Sequence, residues 1–132
     1  MKKLIALFVP VLILTACSET TNPPEDLSTS SPTENIIVDL PAPGDTVSSP
    51  ITIVGQARVF ENQFSWQVID GNGTVIAEGN GTANSPDIGE YGDFEVTASF
   101  PTPATETGIV DVFVYSAADG SKSDVASVPV EF

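Results

Sequence analysis

Few residues of this chain can do covalent chemistry. Its 132 residues include one cysteine, Cys17, no histidine, and four cations, Lys2, Lys3, Arg58 and Lys122, against 18 carboxylates. Cys17 is the strongest nucleophile of the set, since a thiolate attacks where a hydroxyl without a base partner does not. It closes the run Leu14-Thr15-Ala16-Cys17, directly behind Lys2, Lys3 and the apolar stretch from Leu4 to Leu14. Such a stretch is well short of the ~20 residues needed to cross a ~30 Å hydrocarbon core. With cations before it and small residues after it, the segment has the anatomy of an export signal.

Those four residues resemble the bacterial lipobox, an aliphatic residue, two small residues and a cysteine, and all four positions fit. The resemblance implies that residues 1–16 are a signal peptide and that Cys17 becomes the mature N-terminus, thioether-linked to diacylglycerol. Two acyl chains hold a protein stably, whereas one binds marginally at about 0.8 kcal/mol per buried CH₂. The expected location is the extracytoplasmic face of a bacterial membrane, within the cell envelope. An uncleaved anchor, or a conventional signal peptide with an incidental cysteine, is the alternative.

Beyond Cys17 the usual catalytic activators are missing. No serine or threonine has a histidine to take its proton, and Lys122 falls in an apparent turn. Paired carboxylates could in principle do acid–base work, but a chain this acidic produces close pairs by chance. The sequence therefore reads as a non-enzyme without a cofactor. Asp70-Gly71-Asn72-Gly73-Thr74-Val75 looks like the middle of an EF-hand loop, yet aligning Gly73 to the central glycine places Val68 first and Gly79 twelfth, where carboxylates are required. It reads as a hairpin turn. Asp87, Glu90 and Asp93 are a weak alternative calcium cluster. The sequons at Asn72 and Asn80 carry little weight in a bacterial lipoprotein.

Charge limits the partners. After loss of residues 1–16, Arg58 and Lys122 remain against 18 acids, a net of −16. Phosphate backbones and anionic headgroups repel such a chain, so no nucleic acid is expected. With one cysteine there is no internal disulfide, and stability must come from an apolar core.

The elements that would carry any site begin after a tether. Residues 18–35 are almost wholly Ser, Thr, Pro, Asn and acids, with Leu27 as the one apolar side chain. Residues 17–35 are expected to be a lipidated, disordered stalk. As a coil, eighteen residues hold a domain roughly 20–25 Å from the lipid, and extended they reach roughly 55 Å.

Residues 36–132 change to short alternating or β-branched runs separated by Gly, Pro, Asn and Asp. Strands are expected at Ile36–Leu40, Ile51–Phe60, Phe64–Ile69, Thr74–Gly79, Asp93–Phe100, Ile109–Ser116 and Ala126–Phe132. Seven short strands in about 100 residues predict an all-β, immunoglobulin-like antiparallel β-sandwich. Asp70-Gly71-Asn72-Gly73 and Asp119-Gly120-Ser121 supply turns, and Pro129 marks the last strand as an edge or bulged one.

Four segments, Gly55-Gln56-Ala57-Arg58-Val59-Phe60-Glu61-Asn62, Glu90-Tyr91-Gly92-Asp93-Phe94-Glu95, Ser116-Ala117-Ala118-Asp119-Gly120-Ser121 and Val128-Pro129-Val130, come in a telling order and spacing. Through them the chain resembles the immunoglobulin-like domain of bacterial spore germination proteins, over essentially residues 35–132. The resemblance implies a β-sandwich of exported proteins and no catalytic residue.

Trp66 is expected in the core of the third strand. In Ile109-Val110-Asp111-Val112-Phe113-Val114-Tyr115, a solvent-facing Asp111 would put Val110, Val112 and Val114 inside and leave Ile109, Phe113 and Tyr115 as an exposed apolar stripe. That stripe is the candidate binding surface, for an envelope protein or glycan. The expected function is a lipid-anchored module in binding or adhesion at the cell envelope. The alternative is a structural or accessory subunit of a membrane-associated envelope complex, for which the resemblance suggests a link to germination.

Overall fold

The computed structural model describes residues 34–132. Seven strands, β1 (Ile36–Leu40), β2 (Ile51–Ala57), β3 (Gln63–Asp70), β4 (Val75–Thr82), β5 (Gly92–Ala98), β6 (Thr107–Tyr115) and β7 (Lys122–Glu131), form two antiparallel sheets. One has the order β1-β2-β5 and the other β4-β3-β6-β7. The immunoglobulin-like sandwich is thereby confirmed. A constant-type domain places its fourth strand with the first two; here β4 hairpins back beside β3, giving a three-and-four division.

Alternation decides which face of each strand is core. Ile51, Ile53 and Ala57 on β2, Phe94 and Ala98 on β5, Phe64, Trp66 and Val68 on β3, and Val110 and Val112 on β6 all point between the sheets. Phe64 and Phe94 meet across the gap with ring centroids 4.4 Å apart. Trp66 is in the core as expected. β4 makes room for these rings by carrying glycine opposite them. A Cβ at Gly79 would lie 2.6 Å from Trp66 Cζ2, and one at Gly81 2.3 Å from Phe64 Cζ.

The turns follow their chemistry. Asp70 Oδ1 accepts the backbone N–H of Asn72 (3.0 Å) and of Thr74 (2.9 Å), while Gly73 takes φ 82°. This closes the β3–β4 hairpin where an EF-hand would need its flanking helices. β7 is an edge strand, as Pro129 indicated, and is also bulged: between Val112↔Ala126 and Val114↔Ser123 it carries one extra residue. Asp124 occupies the bulge with φ 49°, a conformation that aspartate tolerates better than most residues.

Most strand limits shift by one or two residues from expectation, and three shift further. β2 ends at Ala57, and Phe60 lies on a short 3-10 turn instead. β4 runs on to Thr82, and β7 starts at Lys122, because the bulge at Asp124 lets Lys122 and Ser123 pair with the end of β6.

The exposed stripe on β6 is corrected. Asp111 and Phe113 do lie on the outer face, opposite Gln67 and Ser65 of β3, but neither is open to water. Phe113 is 0% exposed. Lys122, paired with Tyr115 across the β6–β7 ladder, lays its side chain over the ring with Nζ 4.3 Å from the centroid. Asp111 accepts the Ser127 hydroxyl at 2.6 Å and has Lys122 Nζ at 4.0 Å. Lys122 also donates to Gln67 Oε1 at 2.6 Å. A long cationic side chain from the neighbouring strand thus covers the apolar ring that alternation had placed on the surface.

Candidate functional site

The sandwich has two dissimilar ends. At one, Phe100 and Phe132 pack with centroids 5.6 Å apart near the Pro101–Pro103 loop. At the other end the β2–β3, β4–β5 and β6–β7 loops gather beside Asn35, where the chain enters β1. Large exposed hydrophobic side chains concentrate at this second end: Phe60 at 88%, Ile88 at 100%, Tyr115 at 55%, and Tyr91.

An Arg58-centred cluster fixes the chain where it joins the sandwich. Arg58 donates through Nε and Nη2 to Asn35 Oδ1 at 3.3 and 3.2 Å, and its backbone N–H reaches Asn35 O at 2.8 Å. Asn35 Nδ2 in turn donates to Asp124 Oδ1 at 3.0 Å, so one side chain ties β2 and the start of β1 to the β7 bulge in the other sheet. Glu34 Oε1 stands 3.7 Å from Arg58 Nη2, and the guanidinium lies 5.0 Å from the Tyr91 ring centroid. The Tyr91 hydroxyl donates to the Glu34 carbonyl.

Phe60 projects from the turn that follows Arg58. Glu61 and Asn62 take φ 54° and 59°, two successive non-glycine residues in the left-handed region. At Glu61 this costs on the order of 1–3 kcal/mol, held only where surrounding structure imposes it, whereas asparagine tolerates the region. Here Asn62 N–H bonds Val59 O at 3.1 Å and Ala83 N–H bonds Asn62 O at 2.7 Å. The strained turn holds a phenylalanine in solvent, the reverse of where burial would put it.

Phe60 separates two open grooves. One, of about 600 Å³, runs from Phe60 past Gln63, Ser65 and Asn80 to Tyr115 and Asp124. The other, of about 570 Å³, lies between Phe60 and Ile88. Tyr115 is not loose on its rim: its ring stands edge-on to Phe113, centroids 5.1 Å apart at 90°.

The sequence-derived candidates are scattered by the fold. Cys17 lies outside the described residues. Ile109 is exposed but faces Ile69 and Pro129, six residues along β6 from Tyr115 and so roughly 20 Å away along the strand. Phe113 is covered. Only Tyr115 joins the loop end, where its companions are Phe60 and Ile88, both missed. Ile88 was detectable as a lone apolar residue among loop formers, Asn84-Ser85-Pro86-Asp87 before it and Gly89 after it. Phe60 was read as the last residue of a strand, although Glu61-Asn62 already offered a turn. Among the described residues no three or more carboxylates gather into a group able to hold a metal ion, the Asp87, Glu90 and Asp93 stretch included.

Comparison with known proteins gives one match. The family model of the immunoglobulin-like domain of bacterial spore germination matches residues 35–121. No curated protein and no solved structure matches the chain. The matched span includes Asn35, Arg58, Phe60, Ile88, Tyr91 and Tyr115, hence the loop end apart from Glu34 and Asp124.

Proposed function

Because the chain belongs to the family of the immunoglobulin-like domain of bacterial spore germination, a family of extracytoplasmic modules that typically lack catalysis, we propose that it is a lipid-anchored module binding a partner in the bacterial cell envelope. Cys17 carries the diacylglycerol, the segment between it and the anchored Asn35 serves as the stalk, and the sandwich is a rigid support without catalytic work of its own. Its contact surface is the loop end. The observation behind this reading is Phe60, 88% exposed on a strained turn beside the exposed Tyr115. Exposed aromatics grouped on a rigid support are what recognition surfaces use most.

Two experiments test it. Metabolic labelling with a fatty-acid probe is expected to mark the wild-type chain and leave Cys17→Ser unmarked; equal labelling would end the lipoprotein reading. Phe60→Ser is expected to leave fatty-acid labelling and folding intact while reducing crosslinking of the anchored protein to other envelope components. Undiminished crosslinking would remove the loop end as the contact surface.

A further inference from the structure

The groove between Phe60 and Tyr115 has a composition that selects among ligands. Its rim carries two exposed rings, and between them lie the Gln63 amide, the Glu61 and Asp124 carboxylates, and Asn80, whose Oδ1 accepts the Ser65 hydroxyl at 2.9 Å and whose amide N–H groups remain to donate. Arg58 is the one cation lining it, and its guanidinium is already engaged by Asn35 Oδ1 at 3.2 and 3.3 Å and by Glu34 at 3.7 Å. An anionic ligand entering the groove would meet the Glu61 and Asp124 carboxylates and an arginine whose Nε and Nη2 already donate to Asn35, which disfavours acidic polymers and anionic lipid surfaces.

An uncharged sugar meets the opposite situation. The C–H faces of a pyranose ring are apolar and pack on aromatic rings, while its hydroxyls both donate and accept, matching amides, carboxylates and a serine hydroxyl. Part of the rim is ordered before any ligand arrives: the Tyr115 ring by its edge-on contact with Phe113, and the backbone that carries Phe60 by the Glu61-Asn62 turn. Such ordering reduces the entropy lost on binding. The groove's volume of about 600 Å³ falls within the roughly 300–1,000 Å³ range of small-ligand clefts.

We propose that this groove is a subsite for an uncharged polysaccharide, with Phe60 and Tyr115 stacking on sugar rings and Gln63 and Asn80 bonding their hydroxyls. The inference rests on the binding-module reading and names its ligand class.

The test uses the full chain in detergent, titrated with three uncharged hexasaccharides (of N-acetylglucosamine, glucose and xylose), with alginate, and with vesicles of phosphatidylcholine and phosphatidylglycerol. At least one uncharged hexasaccharide is expected to bind, and Phe60→Ser and Tyr115→Ser are each expected to weaken it by about tenfold with melting midpoints within a few degrees of the wild type. No binding of any of the three, binding unaffected by both substitutions, or the same substitutions abolishing vesicle or alginate binding instead would overturn the proposal. A photocrosslinker at position 60 separates this failure from that of the broader reading. Crosslinks to an envelope protein without sugar binding would end the glycan assignment and leave a protein-binding module; no crosslinks and no sugar binding would end both.

Discussion

Lys122 lies over Phe113. Its Nζ is 4.3 Å from the ring centroid and 2.6 Å from Gln67 Oε1, so one side chain both covers an apolar ring and ties β7 to β3 across β6. This contact converts a surface position into a second, smaller buried site on the outer face of the larger sheet.

Phe113 and Tyr115, two residues apart on one face, should therefore respond differently to substitution. Phe113→Ala is expected to cost about 3–5 kcal/mol in urea unfolding, as for other buried phenylalanines. Tyr115→Ser should stay nearer ~0.5 kcal/mol, the usual size for a surface change. Equal effects at the two positions would contradict the cover that Lys122 provides.

Arg58 should act locally. It holds the Asn35 amide oxygen while Asn35 Nδ2 reaches Asp124, so its loss leaves the start of β1 tied to the β7 bulge by that one side-chain bond. In Arg58→Ala, amide hydrogen exchange is expected to quicken over Ile36–Leu40 while Val110 and Val112 stay protected. Uniform acceleration across both sheets would instead make Arg58 a determinant of global stability.

Asp119 reports on the β6–β7 turn. Its Oδ1 accepts the Ser121 hydroxyl at 2.7 Å and the Ser121 N–H at 3.0 Å, and these bonds, the hydroxyl foremost, hold its carboxyl below the ordinary aspartate range. A carboxyl depressed in the folded state supports the fold above its unfolded pKa, and that support fades as pH falls through the folded pKa. NMR titration should place the Asp119 midpoint below that of a free aspartate, and Ser121→Ala should raise it. A midpoint at or above the free value, or one indifferent to Ser121→Ala, would refute the assignment.

Much of the sandwich was legible because one period controls it. Phe94-Glu95-Val96-Thr97-Ala98 alternates without interruption and became β5, buried at Phe94 and Ala98. The β3–β4 hairpin was legible from Asp70-Gly71-Asn72-Gly73, since few other residues suit such a turn. The facing of β6 was also correct, yet facing is not exposure. What covers an outer face depends on side chains of a neighbouring strand, and Lys122 reaches Phe113 from a strand whose register is set by a bulge at Asp124. No local pattern announces a bulge in a polar run. Phe60 escaped for a related reason: Val59-Phe60 reads as a continuation of β2, whereas the strand pairing stops at Ala57 and the backbone reverses at Glu61-Asn62.

The central claim is that the loop end, and not the face of β6, makes the contact in the envelope. It is tested most directly by placing one photocrosslinking residue in the full, anchored chain, at Phe60 in one variant and at Ile109 in another, and irradiating intact cells. The account predicts adducts from position 60 and none from position 109, although both side chains are exposed. Adducts from position 109 alone, or equal adducts from both, would contradict it.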